Sequence, residues 1–122
     1  MGMTAVLESS PTICSMEEVW PPPEARARAA LWAAERHLLV GEYLAAVDSL
    51  GNALDFGSPA TVSVARALRQ LAAAGYRTQC GDPARASRLL DHAVPQLAPF
   101  LPVYEEVDLD ALLEVVAAAL EA

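Results

Sequence analysis

Residues 41–54, GEYLAAVDSLGNAL, and residues 81–94, GDPARASRLLDHAV, decide how this chain folds. Each opens on a glycine followed by an acidic residue. Small and large apolar residues then follow in step, Ala46, Leu50, Ala53 and Leu54 against Ala86, Leu90, Ala93 and Val94. A glycine at such a point suits the left-handed stop after one helix, and the i, i+3, i+4 spacing beyond it starts the next. Two stop-and-start signals in a chain of 122 residues predict helices joined by tight turns.

Working outward, a first helix is expected from Glu24 to just before Gly41, with Leu31, Ala34 and Leu38, and then Trp32, Glu35 and Leu39, at helical spacing. The second runs from about Glu42 to Leu54, with Leu44, Val47, Leu50 and Leu54 on one stripe. Ser58-Pro59 supplies an N-cap and a proline at the first helical position for a long third helix toward Cys80. Gly75, inside it, costs about 1 kcal/mol relative to alanine. A fourth helix opens at Pro83 and is expected to end or kink at Pro95. A connector with Leu97, Phe100, Leu101 and Tyr104 leads to Asp108, which caps a last helix. No strand-like alternation competes, so the fold class is all-α: a single bundle of about five helices in tetratricopeptide-like pairs. Residues 1–23, closed off by Pro21-Pro22-Pro23, are an extended arm, and residues 24–122 are the bundle domain. A true tetratricopeptide array is disfavoured, because Gly41 and Gly81 lie 40 residues apart, against about 34 in such repeats, which also need three or more copies.

Composition narrows the function classes. Hydrophobic residues make up 54% of the chain and charged residues 20%, as in globular domains. No apolar run approaches the roughly 20 residues of a membrane span, and no export signal opens the chain, so a cytoplasmic protein off the membrane is expected. Cys14 and Cys80 are read as reduced thiols. Lysine is absent, which removes Schiff-base and P-loop lysine chemistry. The net charge of −8 is uneven: residues 60–88 carry five arginines and one acid, and residues 89–122 carry seven acids and no base. Such a chain repels a phosphate backbone, so nucleic acid is not an expected partner. Arg66, Arg69, Arg77, Arg85 and Arg88 are read as a solvated strip that pairs with the acidic C-terminal third.

Catalytic signals are few. His37 and His92 each stand without metal-ligand spacing, and Cys80 has no histidine placed by sequence to act as its base. Glu105, Glu106, Asp108 and Asp110 sit at a helix start, where the helix dipole accounts for them.

From Leu38 to Val116 the chain resembles the bacterial helical family of unknown function number 309, which often carries the label of a metal-dependent hydrolase. The resemblance rests on Gln70, Leu71, Ala72, Ala73, Gly81, Asp82, Pro83, Leu89, Leu90, Leu97, Pro99, Phe100, Asp108, Leu112 and Leu113, and in the first half on Gly41, Tyr43, Ala46 and Leu50. It implies a polar cluster on the second helix. Here the family's histidine position is Val47, its first glutamate is Asp48, its second is Gly51, and a histidine late in the third helix is replaced by Tyr76. Valine and glycine offer a metal no lone pair, and one carboxylate cannot hold a catalytic ion. Tyr43, Val47, Asp48, Gly51 and Tyr76 are therefore expected to form a degenerate pocket with no catalytic or metal-binding residue and no cofactor.

The expected function is that of a non-enzymatic scaffold or partner-binding protein. A metal-dependent hydrolase using Asp48 with His37 or Tyr76 is one alternative, and a tetratricopeptide-like peptide binder is the other. Enzymatic activity is left open, with the inventory leaning against it. The last helix carries more than one apolar stripe, so a protein partner or a second copy in a homodimer is expected to contact Phe100, Tyr104, Leu112, Val115 and Val116.

Overall fold

The computed structural model describes residues 20–122, and the expected arm lies outside them except for its last residues. Among the described residues the helices are α1 (Pro23–Leu39), α2 (Tyr43–Ser49), α3 (Gly51–Phe56), α4 (Pro59–Gln79), α5 (Pro83–Leu97) and α6 (Leu109–Glu121). They pack into one all-α bundle. None is long and apolar enough to cross a membrane.

The two glycine turns share one geometry. Gly41 and Gly81 take φ of +80° and +79°. The Gly41 N–H donates to the Leu38 carbonyl and the Glu42 N–H to that of His37; Gly81 and Asp82 repeat this onto Thr78 and Arg77. These paired bonds satisfy carbonyls that a helix end leaves open, with glycine absorbing the left-handed conformation. Each turn therefore folds a helical hairpin, α1 onto α2–α3 and α4 onto α5. The acidic residues then diverge: Asp82 caps α5 by accepting from the Arg85 N–H at 3.2 Å, while Glu42 makes no side-chain cap.

α4 is the central helix. It buries Thr61, Val64, Ala65, Ala67, Leu68, Leu71, Ala72, Ala74 and Gly75, more than one face, and packs on every other helix. Gly75 faces the Tyr43 ring so closely that a Cβ there would overlap Cε1, Cζ and Cδ1 of the ring. The helix accepts the glycine because α2 fills the space a side chain would take.

Several expectations change. α1 opens at Pro23, one residue early, with proline at a position whose N–H is free anyway. The second expected helix is broken at Leu50, where Ser49 Oγ donates back to the Ala45 carbonyl at 2.9 Å; serine, glycine and asparagine there favour the helix weakly. Leu44 lies outside the buried stripe, which is Tyr43, Ala46, Leu50 and Ala53. Leu39 and Trp32 are exposed as well. α5 continues through Pro95 to Leu97; Pro95 is exposed on the outer face two residues from the helix end, where water can reach the Asp91 carbonyl that its missing N–H leaves open.

A two-stranded ribbon, β1 (Val103–Tyr104) and β2 (Val107–Asp108), occupies the connector, where no strand was expected. Its turn residues Glu105 and Glu106 have φ of 48° and 67°, the left-handed pair a two-residue hairpin needs. The ribbon is fixed to α1 by Trp32 Nε1 donating to the Glu105 carbonyl at 2.9 Å and by the Asp108 N–H donating to Glu35 at 3.0 Å. A left-handed residue with a Cβ costs roughly 1–2 kcal/mol. Replacing Glu105 with asparagine and Glu106 with glycine is expected to raise stability by about 1 kcal/mol; a urea midpoint that falls would count against the turn being strained.

α6 closes the bundle against α1, α4 and α5. Leu112 and Val116 are fully buried in their own chain, which corrects their assignment to an intermolecular interface. Phe100 and Tyr104, half-buried, meet edge to face at 5.4 Å, and the Tyr104 hydroxyl shares a 2.8 Å hydrogen bond with Thr61. Val115 stays half-buried at the surface.

Candidate functional site

Of the five positions expected to form one pocket, four are divided between two grooves and one lines neither. Asp48 and Gly51, with Ser49, Asn52 and Asp55, form one wall of a groove of about 650 Å³ whose other wall is Ala25, Ala29, Ala30 and Ala33 of α1. Tyr43 and Tyr76, with His37, Gly41, Glu42, Leu44, Ala45 and Gln79, line another of about 480 Å³. Val47 is half-buried and packs on the core. Helix geometry explains the division: five residues at about 100° each place Asp48 roughly 140° around the axis from Tyr43. The pairing of Asp48 with His37 or Tyr76 proposed for a hydrolase is therefore not made, since Asp48 faces a different groove.

In the alanine-walled groove the residues at i, i+4 and i+8 keep the α1 surface low. Asp48 and Asp55 stand exposed on the opposite wall with no ion pair among the described residues. At the N-terminal end the Arg26 guanidinium lies 5.3 Å from the Phe56 ring centroid, a cation–π arrangement. A Cβ on Gly51 would meet nothing within 4 Å, so packing does not demand glycine there.

The tyrosine groove holds a pair that sequence reasoning missed. His37 Nδ1 lies 2.8 Å from Glu42 Oε1. The two residues are five apart, and the glycine turn brings them together because it bonds the Glu42 N–H to the His37 carbonyl. The signal was a histidine four residues before the stop glycine and an acid just after it. Gln79 Nε2 donates to the Gly41 carbonyl at 3.1 Å, tying the turn to α4. The Cys80 side chain, hydrogen bonded to the Tyr76 hydroxyl and repelling its ionised form, raises the phenol above its ordinary pKa, while Arg77 pulls the other way. Tyr76 is thus a neutral donor at physiological pH. The imidazole and the carboxylate face each other on an open groove, and among the described residues no three His, Cys, Asp or Glu side chains gather as a metal site would require.

A third groove, of about 580 Å³, lies between α4 and the end of α5, lined by Ser63, Arg66, Arg69, Gln70, Pro95, Gln96, Pro99 and Phe100. The expected pairing of the arginine strip with the acidic C-terminal third does not occur. Among the described residues Arg85 pairs with Asp82 at 3.9 Å, and Arg66, Arg69 and Arg88 have no ion pair. Apart from Asp91 on α5, the C-terminal acids lie on the ribbon and α6, whereas these arginines are exposed on α4 and α5.

The chain was compared with family models, with curated proteins and with solved structures, and it matches none of them.

Proposed function

We propose that this chain is a non-enzymatic helical scaffold that binds a protein partner, a degenerate relative of the helical family of unknown function number 309. The observation that carries the reading is the division of the candidate residues: Asp48 and Gly51 face one groove, Tyr43 and Tyr76 another, and Val47 packs on the core. Hydrolysis needs a nucleophile, a base and a charge stabiliser around one reacting atom. Residues split between two faces of a helix do not supply that.

The shape of the grooves supports partner binding. Small-molecule sites enclose most of their ligand in a largely apolar cavity. The groove between α1 and α3 is open to solvent, and its alanine wall lets a polypeptide backbone approach closely. Asp48 and Asp55 would select basic side chains on that partner.

Two measurements test this. Elemental analysis after gentle purification is expected to find far less than one equivalent of zinc, manganese or iron; an equivalent that survives dialysis would restore the hydrolase. A photocrosslinking residue at Asn52, expressed in the source cells, is expected to trap one discrete partner or a second copy of the chain. The same residue at Ser87, exposed on α5, should trap neither. Equal trapping at both positions would remove the groove from the function.

A further inference from the structure

The groove between α4 and α5 has a chemistry of its own. Ser63, Arg66 and Gln70 follow one another at i, i+3 and i+7, with Arg69 beside them, so one stripe of α4 faces Pro95, Pro99 and Phe100. In a chain of net charge −8, two guanidinium groups stand here with no ion pair among the described residues. Gln70 is the second observation: its Oε1 is shielded from solvent and has no hydrogen-bond partner. Buried acceptors are rarely left so, and the terminal amide torsion is soft enough to turn that oxygen toward an occupant.

We infer that this groove binds an extended acidic peptide of a partner protein, carboxylates on Arg66 and Arg69, a backbone N–H on Gln70 Oε1, and an apolar side chain on Phe100. Each feature narrows the occupant. The guanidinium groups select an anion. The unpaired amide oxygen needs a donor, which sulfate at neutral pH lacks, which inorganic phosphate offers only through its remaining hydroxyl, and which a peptide backbone offers at every residue. Residues three apart on a helix have Cβ atoms about 5–6 Å apart, close to the separation of alternate side chains on an extended strand, roughly 6.5 Å at about 3.3 Å per residue. The motif is therefore acid-x-acid followed by an apolar residue. A nucleic acid would carry its charge beyond the groove and meet the acid-rich remainder of the chain. The inference rests on the partner-binding reading, but its failure is separable: a null result here leaves the metal and crosslinking tests of that reading untouched.

The test is a titration of the isotopically labelled protein with an acetylated, amidated peptide Gly-Glu-Ala-Glu-Phe-Gly, followed by NMR of the arginine Nε–H and glutamine side-chain amide signals. Saturable shifts are expected at Arg66, Arg69 and Gln70, and the glutamine analogue of the peptide should produce none. Replacing both arginines, which are exposed and have no ion pair among the described residues, with alanine should weaken binding by at least about tenfold. Gln70→Met should weaken the peptide roughly fivefold and leave inorganic phosphate unchanged. Phosphate reproducing every shift, with Gln70 unmoved, would overturn the proposal in favour of a simple anion site. Tighter binding of a single-stranded oligonucleotide at the same residues would overturn it, as would a fall in self-association on loss of the two arginines, which would make a second copy the occupant. The absence of any saturable shift with the peptide at millimolar concentration would end it.

Discussion

Gly75→Ala is expected to destabilise the protein by about 1–3 kcal/mol, the ordinary cost of forcing an extra methyl into a packed interior, although the same change in an open helix would add about 1 kcal/mol of stability. The sign is decided by Tyr43. Its ring is buried and lies where the alanine Cβ would go, with the overlap falling on ring carbons that are hemmed in by the core. The ring cannot retreat without pulling α2 away from α4. A double-mutant cycle isolates this contact. In a Tyr43→Ala background the clash is gone, and Gly75→Ala should become neutral or stabilising by up to about 1 kcal/mol. Urea denaturation of the four proteins gives the coupling. If Gly75→Ala stabilises the unmodified chain, the close approach of α2 and α4 described here is wrong.

The same pair shows what the sequence could and could not disclose. Gly75 was legible as a weak point in a long apolar helix, and Tyr43 as an aromatic after a turn glycine, but nothing local joins two residues 32 positions apart. Helix positions were legible because stop glycines, caps and apolar spacing are local signals: Gly41, Ser58-Pro59, Gly81 and Asp108 each mark a boundary the structure respects. The ribbon was hidden because Glu105-Glu106 replaces the asparagine and glycine that usually announce such a turn, and its left-handed residues are held by contacts from Trp32 and Glu35 on α1. The candidate site was the least legible part. Asp48 and Tyr43 sit in one short motif, yet which face each takes depends on the helix rotation fixed by Ala46 and Leu50 in the core. The arginine strip was visible as composition; that Arg66 and Arg69 would have no ion pair among the described residues followed only from where α6 and the ribbon come to rest.

Leu112→Glu is expected to abolish cooperative folding, whereas Val115→Glu, three residues on, should leave the protein folded. Leu112 is wholly buried between α6 and the helices it closes against. A carboxylate there would have to give up its hydration with no described cation beside it, a cost of several kcal/mol, against a total stability of about 5–15 kcal/mol for a domain of this size. Val115 lies about 60° to the other side of α6, since three residues turn the helix by roughly 300°, and it is half-buried. A glutamate there can reach water, so the cost is expected to stay near 1 kcal/mol. Thermal melting by circular dichroism separates the two directly. The contrast also decides what remains of the proposal that α6 supports a homodimer. With Leu112 and Val116 committed to the core, Val115 is the residue of the apolar stripes left to face another chain, so Val115→Glu should convert any dimer seen by light scattering to a monomer while the melting curve barely moves. A Val115→Glu protein that unfolds as Leu112→Glu does would place the whole helix in the core. One that stays folded with unchanged mass across a concentration series would remove α6 from self-association and leave the open grooves as the surfaces on which a partner must dock.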